Sequence, residues 1–294
     1  MATPSTTNVN NLNEFLETVV NKIGRQEWSS RAYVNPLKKF KKGFIENANE
    51  IEEIYVQRVQ GLAQSKDGAD TLKRVKPTVK TLYHTQNFEK CYTATVSDKQ
   101  VRTAFHTNEG IRRISDEILS QQHTGVEYDE YVEMKKAIES FAGAIPAGAK
   151  RTITDVTDNT SAKDLVKAIK KDIGKMTFRS TTYCQYEQHT RPEDLVLFIH
   201  IDYQAEIDVE LLASAFNIDK AEIPSRVVFV DGFTDTNLKA VLMDYNAIKV
   251  YDTLYNNEMQ RNAKGMFTNY HLNVEKIISY STLFNGASYS TASE

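Results

Sequence analysis

Residues 71–105 constrain the fold more than any other part of the sequence, because their side chains alternate in character. From residue 74 onwards, one set of alternate positions is mainly basic or polar, and the other set includes Val75, Val79 and Tyr83. A period of two predicts a β-strand, and Pro77 restricts this strand to a sheet edge or to an unpaired end. Two further alternating runs, up to residue 105, extend the prediction to a long β-ribbon.

This β-ribbon is basic, and its apolar face is too thin to stabilise it alone in water. We therefore expect it to lie on the body of the protein or on a neighbouring subunit. Against Glu89 and Asp98, its basic residues are Lys73, Arg74, Lys76, Lys80, Lys90, Lys99 and Arg102. As candidates for intersubunit contacts we take Lys76, Lys80, Lys90, Lys99 and Arg102.

The N-terminal segment carries a second feature that needs a partner. After ten mostly polar residues, apolar side chains follow with helical spacing at Leu12, Phe15, Leu16, Val19, Val20 and Ile23. This spacing predicts an amphipathic helix, and its apolar stripe must be buried on the body or on another subunit. Further candidates for intersubunit contacts are therefore Leu12, Phe15, Leu16, Val19 and Trp28.

The segment 22–42 is also basic, with one glutamate against Lys22, Arg25, Arg31, Lys38, Lys39, Lys41 and Lys42. Such a segment is either a solvated charged surface or a contact with nucleic acid or an acidic neighbour. The sequence leaves both interpretations open.

Four further helices are predicted from apolar residues that recur every three or four positions. They cover residues 45–62, 111–118, 128–141 and 161–174. The last of them begins with Ser161 and Asp164 in the pattern of a capping box and ends at Gly174. The small residues of segment 142–150 predict a domain boundary.

The second half of the sequence is typical of a sheet with flanking helices. Residues 195–203 and 226–231 are apolar and predict two central strands, with a short helix at 208–217 between them. Residues 265–281 alternate over an unusual length and predict a long strand. The fold class is therefore α+β.

Composition excludes several classes of protein. A net charge of −3 argues against a dedicated nucleic-acid binder. Cys91 and Cys184 are too few for a disulfide framework or a four-cysteine zinc site, and we expect both to be buried free thiols. The longest apolar run, 195–201, has the length of a strand, and the N-terminus has no export signal. We expect a protein that folds in a reducing cytoplasm and does not bind membranes.

Nothing in the sequence requires catalysis. Glu187 and His189 are two positions apart, as are His200 and Asp202, which would place each pair on one side of a strand as two metal ligands could lie. Two ligands do not make a metal site, so we interpret these residues as structural. Motifs for phosphate binding, dinucleotide binding or a nucleophilic serine do not occur. We predict no catalytic residue, no cofactor and no metal ligand.

The order of elements resembles the major capsid protein of tailed double-stranded DNA bacteriophages, which has the Hong Kong ninety-seven-like fold. The run DEYVEMK at 129–135 resembles the start of the family's long spine helix, and RPEDLVLFI at 191–199 with VELLASAFN at 209–217 resembles its central lobe. The runs NAKGMFTNYH at 262–271 and YSTLFNGA at 280–287 are similar to the C-terminal part of head proteins from small, short-tailed phages of Gram-positive hosts. The chain departs from that pattern in having Phe-Asn-Gly-Ala where Phe-Asn-Ala is expected.

The resemblance implies a division of the chain. An N-terminal arm would cover 1–60, and an extended loop, the β-ribbon, would cover 61–106. A peripheral domain would combine 107–146, with the spine helix, and 261–294, and an axial domain would cover 147–260. This length leaves little room for an inserted decoration domain.

The resemblance also implies a function and its partners. Many copies would assemble as hexamers and pentamers into an icosahedral head shell, part of the virion, in the cytoplasm of the bacterial host. Scaffold, portal and decoration proteins would be partners, with non-specific contact to packaged DNA and no small-molecule substrate. Some relatives cross-link lysine to asparagine between subunits, but Lys90, Lys99, Asn262 and Asn269 do not match that pattern position by position.

Three other functions remain as alternatives. An encapsulin-type compartment shares the fold and encloses enzymes, and a monomeric cytoplasmic α+β enzyme would use His200 and Asp202. A nucleic-acid binder would depend on Lys38, Lys39, Lys41 and Lys42, with affinity that falls steeply with salt. A shell protein is expected to lose assembly, but not folding, when residues 72–104 are deleted.

Overall fold

A computed structural model of the chain describes residues 31–46, 49–61, 63, 74–97, 108–204, 207 and 226–292. One compact unit begins at Tyr33 and contains all the elements below. The predicted N-terminal helix, the third alternating run at 100–105 and the short helix at 208–217 lie outside the described residues.

Eleven strands and two α-helices are present in the described residues. The strands are β1 (Lys41–Phe44), β2 (Glu50–Val56), β3 (Val79–Thr85), β4 (Phe88–Ser97), β5 (Lys150–Ile153), β6 (Leu195–His200), β7 (Val227–Val230), β8 (Leu238–Asp244), β9 (Ile248–Asn262), β10 (Phe267–Tyr280) and β11 (Gly286–Thr291). The helices are α1 (Asn108–Ala144) and α2 (Asn159–Met176). The fold is α+β, and none of the described helices is long and apolar enough to span a bilayer.

A five-stranded sheet, in the order β5-β11-β8-β6-β7, holds much of the core. Strands β6 and β7 confirm that the two apolar runs form strands. Strand β6 lies inside the sheet between β8 and β7, and all but its last residue are apolar and buried. Strand β7 is at the sheet edge and not central as predicted. The apolar side of α2 is buried in the same core. Its Asp172 pairs with Arg151 of β5 and accepts a hydrogen bond from Tyr289 of β11, so α2 is fastened to this edge of the sheet.

A four-stranded sheet, in the order β1-β9-β10-β4, packs against α1. Strand β10 confirms the long strand predicted at 265–281. The Gln122 side chain of α1 donates hydrogen bonds to the carbonyls of Tyr92 in β4 and Tyr270 in β10, both at 2.9 Å. At its other end, α1 reaches the five-stranded sheet, where Phe141 lies so close to Gly286 that an added Cβ would be 2.3 Å from the ring.

The predicted helix over 45–62 is wrong, because the chain forms β2 there. Ile51, Tyr55 and Val59 are four residues apart, and four is a multiple of two, so the same spacing fits one side of a strand. Strand β2 pairs with β3 over its whole length, and this long-range pairing decides between the two periods.

The predicted β-ribbon is also built differently. Strand β3 pairs with β2 to form a separate two-stranded sheet, whereas β4 pairs with β10. In the C-terminal part, β9 joins the four-stranded sheet and β11 the five-stranded one. The division into arm, extended loop, peripheral domain and axial domain stays a prediction.

The helix boundaries need three corrections. Residues 111–141 form one helix, α1, and not two. Its Gly125 leaves room for the Tyr92 ring, 3.2 Å from where a Cβ would be. Helix α2 is capped by Asp158 and not by Ser161, because the Asp158 carboxylate accepts a hydrogen bond from the Ser161 backbone at 2.7 Å and the Ser161 hydroxyl accepts one from the Asp158 backbone. It continues past Gly174 to Met176.

Candidate assembly site

The outward face of the two-stranded sheet β2–β3 carries four exposed apolar side chains. Val56 of β2 is directly opposite Val79 of β3, while Ile54 is opposite Thr81 and diagonal to Val79 and Tyr83. Tyr83 is opposite Glu52 and donates a hydrogen bond to it at 3.3 Å. Ile54, Val56, Val79 and Tyr83 are each between 51% and 59% exposed. A contiguous apolar surface of this kind marks an interaction site more often than scattered apolar residues do. From here on, the two-stranded sheet β2–β3 is called the ribbon, and these four residues are called the ribbon face.

The inward face of the same two strands is fastened to the body of the subunit. The Tyr55 hydroxyl donates a hydrogen bond to the Glu187 carbonyl at 2.9 Å, and its ring lies 5.3 Å from that of Tyr186. Arg58, just beyond β2, pairs with the Glu187 carboxylate at 2.8 Å. One face of the ribbon is therefore covered by the body of the subunit, and the other face is not covered by any described residue.

A charged network holds the base of the ribbon. His84 of β3 is buried between the Ser279 hydroxyl, at 2.7 Å, and the Glu53 carboxylate of β2, at 3.2 Å. Glu53 also pairs with Lys249 of β9 at 2.8 Å. Burial alone raises the pKa of Glu53, but hydrogen bonds from His84, Lys249 and Ser281 outweigh it and lower the pKa to about 2.

This network predicts a pH dependence of stability. Because the pKa of Glu53 is lower in the folded protein than in the unfolded chain, its contribution is complete above about pH 4.5 and is lost as the pH falls towards 2. We expect Glu53→Gln to lower the free energy of unfolding by about 2 kcal/mol at pH 7. The difference from wild type should shrink between pH 5 and pH 3 in urea titrations. A difference that stays constant over this range would contradict the assignment.

The short connection between β3 and β4 is fixed to the four-stranded sheet. The Asn87 side chain donates to the Ile278 carbonyl at 2.7 Å and accepts from the Ile278 amide at 2.9 Å. Gln86 adds a hydrogen bond to Glu275 at 3.0 Å. The ribbon therefore leaves the body at a defined point.

A buried ion cluster lies where α1, β1, β9 and β10 meet. Glu130 and Lys276 are both almost completely buried and paired with each other, and Lys276 also lies 2.9 Å from Asp252. Lys41 pairs with Glu130 and Asp252, each at 3.1 Å. Burial lowers the pKa of Lys41, but the two carboxylates outweigh this effect and raise it above its usual value. Asn35 completes the cluster by donating to Glu130 at 3.0 Å.

The structure describes three of the ten predicted contact residues. Lys80 is exposed on β3 of the ribbon, and Lys76 is exposed in the segment just before β3. Lys90 is on β4, where it pairs with Asp129 of α1 at 2.8 Å. The other seven, which are Leu12, Phe15, Leu16, Val19, Trp28, Lys99 and Arg102, lie outside the described residues. All ten stay predictions.

Three of the four residues weighed as metal ligands, which are Glu187, His200 and Asp202, form ion pairs. Asp202 lies 3.3 Å from Nδ1 of His200, and Glu187 pairs with Arg58. In the described part of the chain, no three His, Cys, Asp or Glu side chains are grouped as a metal site would need. Both cysteines are free, and Cys184 is buried, but Cys91 is exposed on β4, contrary to our expectation.

Sequence reasoning missed the ion cluster, although a signal was present. Glu130 lies on the apolar stripe of α1, four positions from the buried Val126 and Met134. Lys276 shares the buried side of β10 with Leu272 and Val274. A charged residue on an apolar stripe is rarely buried unless it is paired, so these two residues could have been predicted as partners.

Comparison with known sequences gives a family-level match. Residues 1–290 match the family described as Phi29-like phage major capsid protein. The chain is 34% identical over 284 residues to the major capsid protein of Bacillus phage GA-1 and 32% identical over 288 residues to that of Bacillus phage B103. These alignments cover 94% and 96% of this chain, but only 60% and 64% of the two relatives.

Comparison with solved structures shows that the chain shares its fold with chains from phage capsid and head structures. The capsid structure of Staphylococcus phage Andhra matches with a TM-score of 0.77 at 14% identity, covering 92% of this chain and 88% of that one. A chain from the structure of the head fiber and inner core protein of bacteriophage P68 matches with a TM-score of 0.73 at 12% identity and the same coverage.

Proposed function

The chain belongs to the Phi29-like phage major capsid protein family, and from this we propose that it self-assembles into the icosahedral head shell that encloses phage double-stranded DNA. The observation that carries the proposal is the ribbon face, which is exposed while the opposite face is fastened to the body. Burying such a face against another copy removes apolar surface from water and stabilises the assembly.

In the proposed shell, each domain has a separate role. The four-stranded sheet and α1 form the peripheral domain, and the five-stranded sheet and α2 form the axial domain at the centres of hexamers and pentamers. The ribbon and the N-terminal arm contact neighbouring copies. Scaffold, portal and decoration proteins are further partners, and assembly takes place in the host cytoplasm. The role is structural, with no enzymatic step.

The experiment that tests this proposal measures the size of the particles formed. We expect the purified chain, alone or with the scaffold protein of its phage, to sediment as large particles. In negative-stain micrographs these particles should be closed shells tens of nanometres across. DNA or scaffold inside the shells supports a phage head, whereas an enclosed enzyme supports an encapsulin-type compartment. A chain that stays monomeric at high concentration and with scaffold contradicts the proposal.

A further inference from the structure

The solvent face of α2 is a stripe of lysines. Leu165, Ile169 and Ile173 mark the buried side of this helix. On the opposite side, exposed lysines follow one another at Lys163, Lys167, Lys170, Lys171 and Lys175. At 1.5 Å per residue, the stripe is about 18 Å long.

Apart from Lys170, which has a partner, these lysines form few interactions within the described part of the subunit. Lys163, Lys171 and Lys175 form no ion pair with any residue that the structure describes. Lys167 pairs with Asp164, but both side chains are more than two-thirds exposed, and such pairs contribute little. By contrast, Lys38 and Lys41 of the basic segment 22–42 are paired with Glu127 and Glu130.

Stabilisation of the helix by its dipole explains only part of this lysine stripe. Lysines in the last turn, such as Lys175, interact favourably with the negative end of the helix dipole. The positive end is capped by the Asp158 carboxylate, and the helix dipole gives Lys163, about one turn further on, no stabilisation. A stripe that continues to this end suggests an external anion.

We propose that this lysine face of α2 binds the phosphate backbone of double-stranded DNA without sequence preference. The proposal rests on the proposed function, since a head encloses DNA, and it places α2 on the inner surface of the shell. Phosphates on one strand rise by 3.4 Å each, so an 18 Å stripe spans about five of them. The stripe contains no Asn, Gln or Arg that could read base edges.

A nucleic acid fits this surface better than an acidic protein does. Lysine is depleted in the cores of protein interfaces, where aromatic residues and arginine are enriched. Lysine is, however, a common ligand of phosphate backbones, which it contacts as a point charge.

The test measures binding of a labelled duplex of about 30 base pairs to the full chain by fluorescence anisotropy, between about 50 and 200 mM salt. We expect a slope of log affinity against log salt of about −4, and loss of most of this slope in the variant K163Q/K167Q/K171Q/K175Q. The control K136Q/K150Q/R191Q/K264Q has the same change in charge at exposed positions outside α2 and outside the candidate contact residues. It should keep the wild-type affinity.

Each other outcome overturns the proposal. These outcomes are no binding by the wild-type chain, unchanged binding by the α2 variant, or an equal loss in the control. If the α2 lysines bind poly-glutamate but not the duplex, the partner is an acidic protein. Shell formation by both variants, followed by sedimentation without DNA, tests the proposed function separately.

Discussion

Replacing the ribbon face by threonine, as I54T/V56T/V79T/Y83T, is expected to abolish shell formation and leave the subunit folded. The four side chains are already more than half exposed in the subunit, so folding loses little apolar burial. Threonine also keeps a high preference for strands. In a shell, each side chain that is buried against a neighbour contributes about 1 kcal/mol. The loss of four raises the concentration needed for assembly by about 1,000-fold.

Sedimentation and negative-stain microscopy at matched concentrations measure this effect, and circular dichroism reports whether the subunit is folded. The control V34T/F178T/M259T changes exposed apolar residues outside the ribbon and should assemble like wild type. Shells formed by the ribbon variant at the wild-type concentration would contradict the role of this face. A separate variant, K76Q/K80Q, shows whether the two exposed lysines of the ribbon contribute.

Substitution is a better test than the deletion of residues 72–104 suggested by the sequence. That deletion removes β4, whose Phe88 and Val96 are buried in the subunit and whose backbone pairs with β10 along ten residues. A deleted chain that failed to assemble would therefore have lost part of its own sheet, and the result would say nothing about neighbours.

Elements with a clear local pattern can be predicted from the sequence. The sequence does not predict an element whose structure depends on pairing with a distant strand. The apolar runs of β6 and β7 and the alternation of β10 are visible in single segments, and each was predicted. The partner of β3 was not, because Ile51 and Tyr55 of β2 fit a helix and a strand equally well. Only the pairing with β3, some thirty positions further along the chain, settles the choice.

The candidate site also combines features that local spacing predicts with features that depend on distant contacts. The alternation that places Val79 and Tyr83 on one side of β3 is local, and it predicts a face that lies on the body or on a neighbouring subunit. The anchor of the ribbon joins Glu53, His84 and Lys249 from three different strands, and no spacing within one segment indicates that these residues meet. The stripe on α2 was within reach, since its helical spacing is in the sequence, but its exposure follows only from the packing of the helix.

The largest effect on stability is expected at the buried ion cluster. In Glu130→Leu, the ammonium groups of Lys276 and Lys41 are left with Asp252 alone, and the Asn35 amide keeps only the Met134 sulfur as an acceptor. Removing one partner of a buried pair costs about 3–5 kcal/mol, because the remaining charge is buried without compensation. We expect the melting temperature to fall by about 10 °C in scanning calorimetry.

The double variant E130L/K276M shows whether this loss comes from an unpaired charge or from lost packing. It removes both buried charges, keeps apolar volume, and leaves Lys41 paired with Asp252, so most of the lost stability should return. The exposed pair Glu133 and Lys136 on the same helix provides the control, and E133L/K136M should change stability by less than about 1 kcal/mol. Losses that simply add in the double variant would mean that the two side chains act independently. Recovery in the double variant would show that Glu130 and Lys276 form one unit, which joins α1 to β10 at the base from which the ribbon extends.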